Sequence, residues 1–313
     1  MSYQLIQEAL NKIGQISTWE TLLVKYNHTS YPNQFTCYNI NFAQDSILLN
    51  TLSDMKGTFL KIIDRYDKKV EMYSGYNPKN VVEKLALDNP IINDAWDSLI
   101  QHINCSDDST EIKNIKANAY IFIGTYSEAS STKNIYIIAR KNPVLSFKKG
   151  RAPIFTSRHN VLDKADDPLL QFGKCFDALV YNNAIYMINS NCESIFNMEY
   201  SHKKICQKSL DALEASSIIE DMSAYRQFAT TGQTPKKFIS YDETIVEKLK
   251  EPRWRRKVIQ ELKIPFNNTT KKFILNEEQH ARIFTLAICG KTKLNMFDEG
   301  ICEVPTSTPL NLS

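Results

Sequence analysis

The stretch QFGKCFDALVYNNAIYMINSNCESIFNMEY, residues 171–200, decides how the chain is read. Phe176, Leu179 and Tyr181 alternate up to Asn182-Asn183, and Ile185, Met187 and Asn189 lead away from it. Alternating apolar residues around an Asn-Asn turn are what a half-buried antiparallel pair requires, so a hairpin is expected, followed by a second turn and the start of a helix. Nothing in the segment is catalytic on its face.

Upstream of the hairpin the apolar period is two, at residues 119–125, 134–139, 143–147 and 153–156. Several short strands in succession predict a largely antiparallel sheet. Earlier still, helices are expected at 3–13, 45–67, 78–87 and 90–103, and strands at 19–26, 36–42 and 68–73. The polar stretch 104–114, with Ser106-Asp107-Asp108-Ser109, reads as a linker. It divides an acidic, helix-rich α+β region, 1–112, from a basic sheet-plus-helix region, 113–313.

Downstream of Phe196 the period is helical along one long or broken helix over 205–228, ended by Thr231-Gly232 and Pro235. A strand at 238–240, helices at 243–250 and 253–263, a strand at 271–275 and a helix at 277–289 follow. Asn276 with Gln279 is expected to cap the last helix, and Gly290 to supply its exit. The fold class is α+β, a largely antiparallel central sheet with helical N-terminal and C-terminal parts.

With 313 residues, 42% hydrophobic and 23% charged, the chain has ample core material for one large or two packed domains. Its seven cysteines are widely spaced, odd in number and form no C-x-x-C pair, which argues against a disulfide framework and a zinc knuckle. Reduced thiols in a cytoplasm are expected. The N-terminus has no basic and apolar leader, and no run of 18 apolar residues exists, so membrane association is expected only through a partner.

Charge is segregated. Residues 1–132 hold 11 Lys+Arg against 15 Asp+Glu, residues 133–235 hold 13 against 10, and residues 236–313 hold 14 against 10, giving −4, +3 and +4. From Lys133 to Arg158 there are seven cations and no acid.

The motifs of covalent chemistry are near misses. Cys289-Gly290-Lys291-Thr292 imitates the end of a phosphate-binding loop, but Thr285 stands at the upstream glycine position and the segment follows a helix. Five scattered histidines offer no metal-ligand spacing. Glu111-Ile112-Lys113 and Glu261-Leu262-Lys263 have the Glu-x-Lys of metal-dependent nucleases without the apolar strand that would place two carboxylates on one ion. No catalytic residue, metal site or cofactor is expected.

What remains is electrostatic. In Arg253-Trp254-Arg255-Arg256-Lys257, Trp254, Val258 and Leu262 fall at steps of four and are expected to be the buried stripe of a helix with cations on its other flanks. Such a face meets phosphates through charge and forked hydrogen bonds. Lys271 and Lys272 follow a turn containing Asn267-Asn268, and Lys148, Lys149, Arg151 and Arg158 flank Gly150 in a basic loop between strands. A solvated face that only keeps the chain soluble is the plain alternative; where such cations do meet a nucleic acid, their dispersal and the lack of a reading motif favour sequence-independent contact with duplex DNA over base readout.

The order FGKCFDALVYNNAIYMINSNCESIF resembles the KwaB-like family, the soluble component of the two-gene Kiwa anti-phage defence system of bacteria. The features that carry it are Phe-x-x-x-Phe-Asp at Phe172 to Asp177, the strand Ala184 to Ile188 and Phe196 at the opening of the helical part. The resemblance implies defence, DNA binding and a membrane-embedded, KwaA-like transmembrane partner. The expected protein is thus a cytoplasmic DNA-binding effector recruited to the inner membrane through that partner. Its acidic N-terminal third is free to contact the partner or, as a homo-oligomer, another copy. A metal-dependent nuclease-like enzyme and a protein-only scaffold are the alternatives.

Overall fold

The structure, a computed structural model, describes residues 2–27, 31–76, 79–106, 110, 115–128, 131–140, 144–145, 155–158, 161–164, 169–170 and 172–290, with the backbone alone over 144–170. Two compact units are formed, one of Met1–Tyr73 with Asn80–Met198 and one of Ser74–Lys79 with Glu199–Ser313.

The first unit begins with α1 (Ser2–Ile13), β1 (Thr18–Asn27), β2 (Gln34–Ile40), α2 (Asp45–Arg65), β3 (Val70–Met72), β4 (Val82–Ala86) and α3 (Asn93–Ile103). It continues through β5 (Ala119–Glu128), β6 (Ser131–Ala139), β7 (Val144–Leu145), β8 (Phe155–Arg158), β9 (Val161–Lys164) and β10 (Leu169–Leu170). The hairpin strands β11 (Ala178–Tyr181) and β12 (Ala184–Met187) and the short helix α4 (Asn191–Ile195) complete it. An eight-stranded sheet has the order β2-β1-β5-β6-β11-β12-β4-β3; every pairing is antiparallel except β3 with β4. The fold is α+β, as the sequence periods predict.

Residue 112 does not divide the compact units, because β1 on one side of it pairs with β5 on the other, Thr18 opposite Thr125 through Val24 opposite Ala119. The composition changes there; the hydrogen-bond ladder runs across it.

The expected hairpin forms, with Asn182 and Asn183 at φ 49° and 58°, the left-handed region that a two-residue turn matching strand twist demands. It is not half-buried. β11 and β12 sit inside the sheet and all eight of their residues are buried. Leu179, Tyr181, Ala184 and Tyr186 join the core under α1 and α2, and on the sheet's other face Trp96 of α3 packs edge-on against Tyr136 of β6 at 5.1 Å. Strands covered on both faces need apolar residues at every position, which ALVY and AIYM supply.

The Phe-x-x-x-Phe-Asp segment locks the hairpin in place. Phe176 stacks on Phe59 of α2 at 4.3 Å, and Phe172 lies edge-on to Tyr120 at 4.9 Å. Asp177, 8% exposed, accepts hydrogen bonds from the Arg140 backbone N–H at 2.6 Å and from the side-chain amides of Asn189 at 2.7 Å and Asn191 at 2.9 Å. One carboxylate thus ties the end of β6, the exit of β12 and the start of α4.

α1 is fastened to the sheet by charge as well as by Ile6, Ala9, Leu10 and Ile13. Lys12 lies 2.8 Å from Glu128 and 4.5 Å above the Tyr126 ring, and Lys133 reaches the other Glu128 oxygen at 2.6 Å. Lys12 and then Lys133 hold the Glu128 carboxyl down to about 2.

One expected helix of this unit is a strand instead. Residues 78–87 were expected as a helix, but Val82–Ala86 is a strand, paired with β12 from Glu83 opposite Met187 to Ala86 opposite Ala184. Val81, Val82 and Leu85 fit either period, and the exposed edge of the hairpin decides between them. The β3 to β4 connection passes through Ser74–Lys79, residues of the second unit.

The second unit contains α5 (Met198–Ala215), α6 (Met222–Ala229), α7 (Thr234–Lys237), the 3-10 turn Phe238–Ser240, α8 (Glu243–Lys250), α9 (Pro252–Leu262), β13 (Phe266–Asn267), β14 (Lys272–Phe273) and α10 (Glu278–Ile288). The long helix is broken: Ser217 turns at φ 56°, and Asp221 caps α6 by accepting from the Ala224 N–H at 3.0 Å. Arg226 of α6 bridges Asp211 and Glu214 of α5 at 2.7 and 2.6 Å. Cys206, Leu210, Tyr225, Phe238, Val258, Phe273 and Phe284 share one core. Residues 238–240 are a 3-10 turn and not a strand, since Pro235 starts a helical turn that runs on until Phe238 is buried. The N-cap of α10 is Glu277, with no side-chain cap, in place of the expected Asn276. Gly290, at φ 63°, provides the predicted exit.

Candidate nucleic-acid interface

α9 starts because Pro252 pre-sets the first helical φ and lacks an N–H that the first turn could not satisfy anyway. It stops where Lys263 enters the left-handed region at φ 51°. Val258 and Leu262 are buried and fix which side faces inward. Arg253, Arg256 and Lys257 are exposed.

Trp254 departs from the expected stripe. It is half-buried and lies outside the core shared by Val258 and Leu262. Cations among the described residues lie around its ring: Arg253 with its guanidinium carbon 5.1 Å from the centroid, Lys257 with Nζ at 5.7 Å and Lys248 with Nζ at 6.0 Å. The indole quadrupole attracts each of them, so the tryptophan gathers positive charge on the surface. Lys248, in the last turn of α8, is a member of this cluster that the helix-by-helix reading missed. Its signal is the closeness of two basic helices across Glu251-Pro252.

Arg255 is turned elsewhere. Its guanidinium carbon lies 5.1 Å from the Phe266 ring of β13, and Phe266 in turn meets Phe273 edge-on at 5.3 Å. The arginine therefore joins α9 to the β13-β14 hairpin, in which Asn267 is opposite Lys272. Asn267 accepts from the backbone N–H groups of Thr269 at 2.9 Å and Thr270 at 3.2 Å, shaping the turn that ends at exposed Lys271, φ 59°. Lys272 is half-buried beside it.

The structure thus brings together Arg253, Arg255, Arg256, Lys257, Lys271 and Lys272 on α9 and the adjoining hairpin. Among the described residues none of these six forms an ion pair. Arg256 donates to the Pro252 carbonyl at 3.3 Å and Arg255 to that of Lys250 at 3.5 Å, which leaves most of their donors uncommitted. Lys148, Lys149 and Arg151 lie outside the described residues; of Arg158 the backbone is described, at the end of β8.

Glu261 of the second Glu-x-Lys tripeptide is exposed on α9, and Glu111 lies outside the described residues. No three His, Cys, Asp or Glu side chains among the described residues are grouped to hold a metal ion. No helix among them is long and apolar enough to cross a membrane.

A family model described as "Kiwa protein KwaB-like" matches residues 128–286, a span that includes the β11-β12 hairpin, α9 and β13-β14. No curated protein matches the chain, and no solved structure does.

Proposed function

Because the chain belongs to the Kiwa protein KwaB-like family, and is thereby a component of a bacterial Kiwa anti-phage defence system, we propose that it is the DNA-binding effector of that system. It holds duplex DNA largely independently of sequence, acts with a membrane-embedded KwaA-like partner, and occludes invading DNA without covalent chemistry. The observation that carries this reading is the cation cluster of α9 and its hairpin, six Lys and Arg side chains with no carboxylate partner among the described residues. Unpaired cations on neighbouring elements suit the phosphate backbone, whose condensed counterions they displace. Arginine adds the fork that grips two phosphate oxygens at once.

Lys148, Lys149, Arg151 and Arg158 are proposed as further phosphate contacts on their charge alone, and the acidic N-terminal region is available to a second copy or to the membrane partner. The test is titration of the purified chain into labelled duplexes of unrelated sequence, with and without magnesium. Comparable affinity for each duplex, with the DNA left intact, is expected. Absence of binding at low salt would favour a protein-only scaffold, and magnesium-dependent cleavage would make the protein a nuclease.

A further inference from the structure

A second positive locus in the second unit uses none of these residues. A recess of about 280 Å3 is bounded by the end of α6, the turn after it, α7 and the first turns of α10. Its polar lining includes Lys237, Arg282, Gln233, Thr234 and Glu278. Lys237 is half-buried and Arg282 exposed, and neither forms an ion pair among the described residues. Glu278 stands four residues before Arg282, where a helical pair commonly closes, yet this one does not.

The two cations sense each other. Burial first, and the Arg282 charge second, make the Lys237 ammonium easier to deprotonate than usual. Two like charges converging on a partly dehydrated hollow raise the energy of the empty protein, and an anion seated between them relieves it. The floor is preset: Thr285, 1% exposed, is hydrogen-bonded to the Tyr225 hydroxyl at 2.8 Å and donates to the Ala281 carbonyl at 2.8 Å. The Thr234 hydroxyl and the Gln233 amide add neutral donors at the rim. The volume falls just under the range of about 300–1,000 Å3 typical of small-molecule sites, which suits one phosphate group with a small substituent.

We infer that this recess is a phosphate-binding site, with Lys237 and Arg282 as the charged ligands and Gln233 and Thr234 as auxiliary donors. The inference stands apart from the α9 surface. The phosphate comes either from a free phosphomonoester or from a nucleic-acid backbone, and the chemistry of recognition is the same.

Calorimetric titration of the full chain with inorganic phosphate, adenosine monophosphate and a short duplex tests it. Saturable phosphate binding is expected, weakened about tenfold or more by Arg282→Gln or Lys237→Gln, as loss of a charge-assisted contact implies. Glu278→Gln should tighten it, which a purely structural role would not predict. The Arg253→Ala/Arg256→Ala/Lys257→Ala variant should bind phosphate as the parent does, so failure of the DNA reading leaves this result intact. If Arg282→Gln also weakens duplex binding and phosphate competes with duplex, the ligand is backbone phosphate; if duplex binding is unchanged, it is a free phosphomonoester. Arg282 is exposed, so its variant carries the test should Lys237→Gln fail to fold. No saturable phosphate binding, or binding unaltered by Arg282→Gln, overturns the site.

Discussion

Asp177 supports a quantitative prediction. Its Oδ2 accepts the Arg140 N–H, and its Oδ1 accepts the amides of Asn189 and Asn191. In Asp177→Ala three donors beside an 8% exposed position lose their acceptor. A hydrogen bond to a charged group contributes about 1.5–3 kcal/mol, but the three share one carboxylate and water can reach part of the gap, so the sum is not additive. A loss of about 3–5 kcal/mol is expected, a large share of the roughly 5–15 kcal/mol that stabilises a domain. Asp177→Asn keeps Oδ1 for the two asparagines and turns an NH2 toward the Arg140 N–H, so it should cost less, about 1.5–3 kcal/mol. Trp19 and Trp96 lie in the first unit and Trp254 in the second. Urea unfolding followed by tryptophan fluorescence in a Trp254→Phe background therefore reports the first unit alone. An unfolding free energy for Asp177→Ala within about 0.5 kcal/mol of the parent at constant m would show that the carboxylate does not hold these elements together, and so would Asp177→Asn proving the costlier change.

The glycines give a contrasting pair of predictions. Gly57 sits inside α2 and a Cβ there would meet nothing within 4 Å, so Gly57→Ala should raise stability by about 0.5–1 kcal/mol in thermal melts. Gly75, at φ 73°, would place its Cβ 2.5 Å from the Lys236 carbonyl oxygen, so Gly75→Ala should cost at least about 2 kcal/mol by the same assay. His202 is 4% exposed, and burial, then the Lys236 charge, lowers its pKa to about 4. Below its ordinary value the unfolded chain takes up a proton that the folded chain refuses, so stability should fall as pH drops from about 6.5 to 4, by roughly 3 kcal/mol in all. His202→Gln should flatten that part of the stability profile.

Much of this architecture is legible in residue order. α1, α2, α8 and α10 announce themselves by apolar residues at three and four, and the hairpin by alternation about Asn182-Asn183. What escaped depends on partners far away in sequence. Val82–Ala86 is a strand because β12 lies beside it about a hundred residues later, and a local period contains no trace of that edge. The division of units near residue 198 escaped for the same reason, since charge and polarity change at the 104–114 stretch while pairing does not. The basic cluster of α9 was visible as charge. The Trp254 cation cage and the Arg255 contact with Phe266 were not, because spacing along one helix says nothing of α8 or of the hairpin.

In the proposed function the exposed cations of α9 neutralise DNA phosphates. The most direct measurement is the dependence of duplex affinity on salt for the parent and for Arg253→Ala/Arg256→Ala/Lys257→Ala, leaving Arg255 to hold the hairpin. Each phosphate contact contributes about −0.9 to the slope of log affinity against log salt, so the variant should bind more weakly with a slope shallower by roughly 2.7. Equal slopes and equal affinity would place DNA elsewhere and contradict the account.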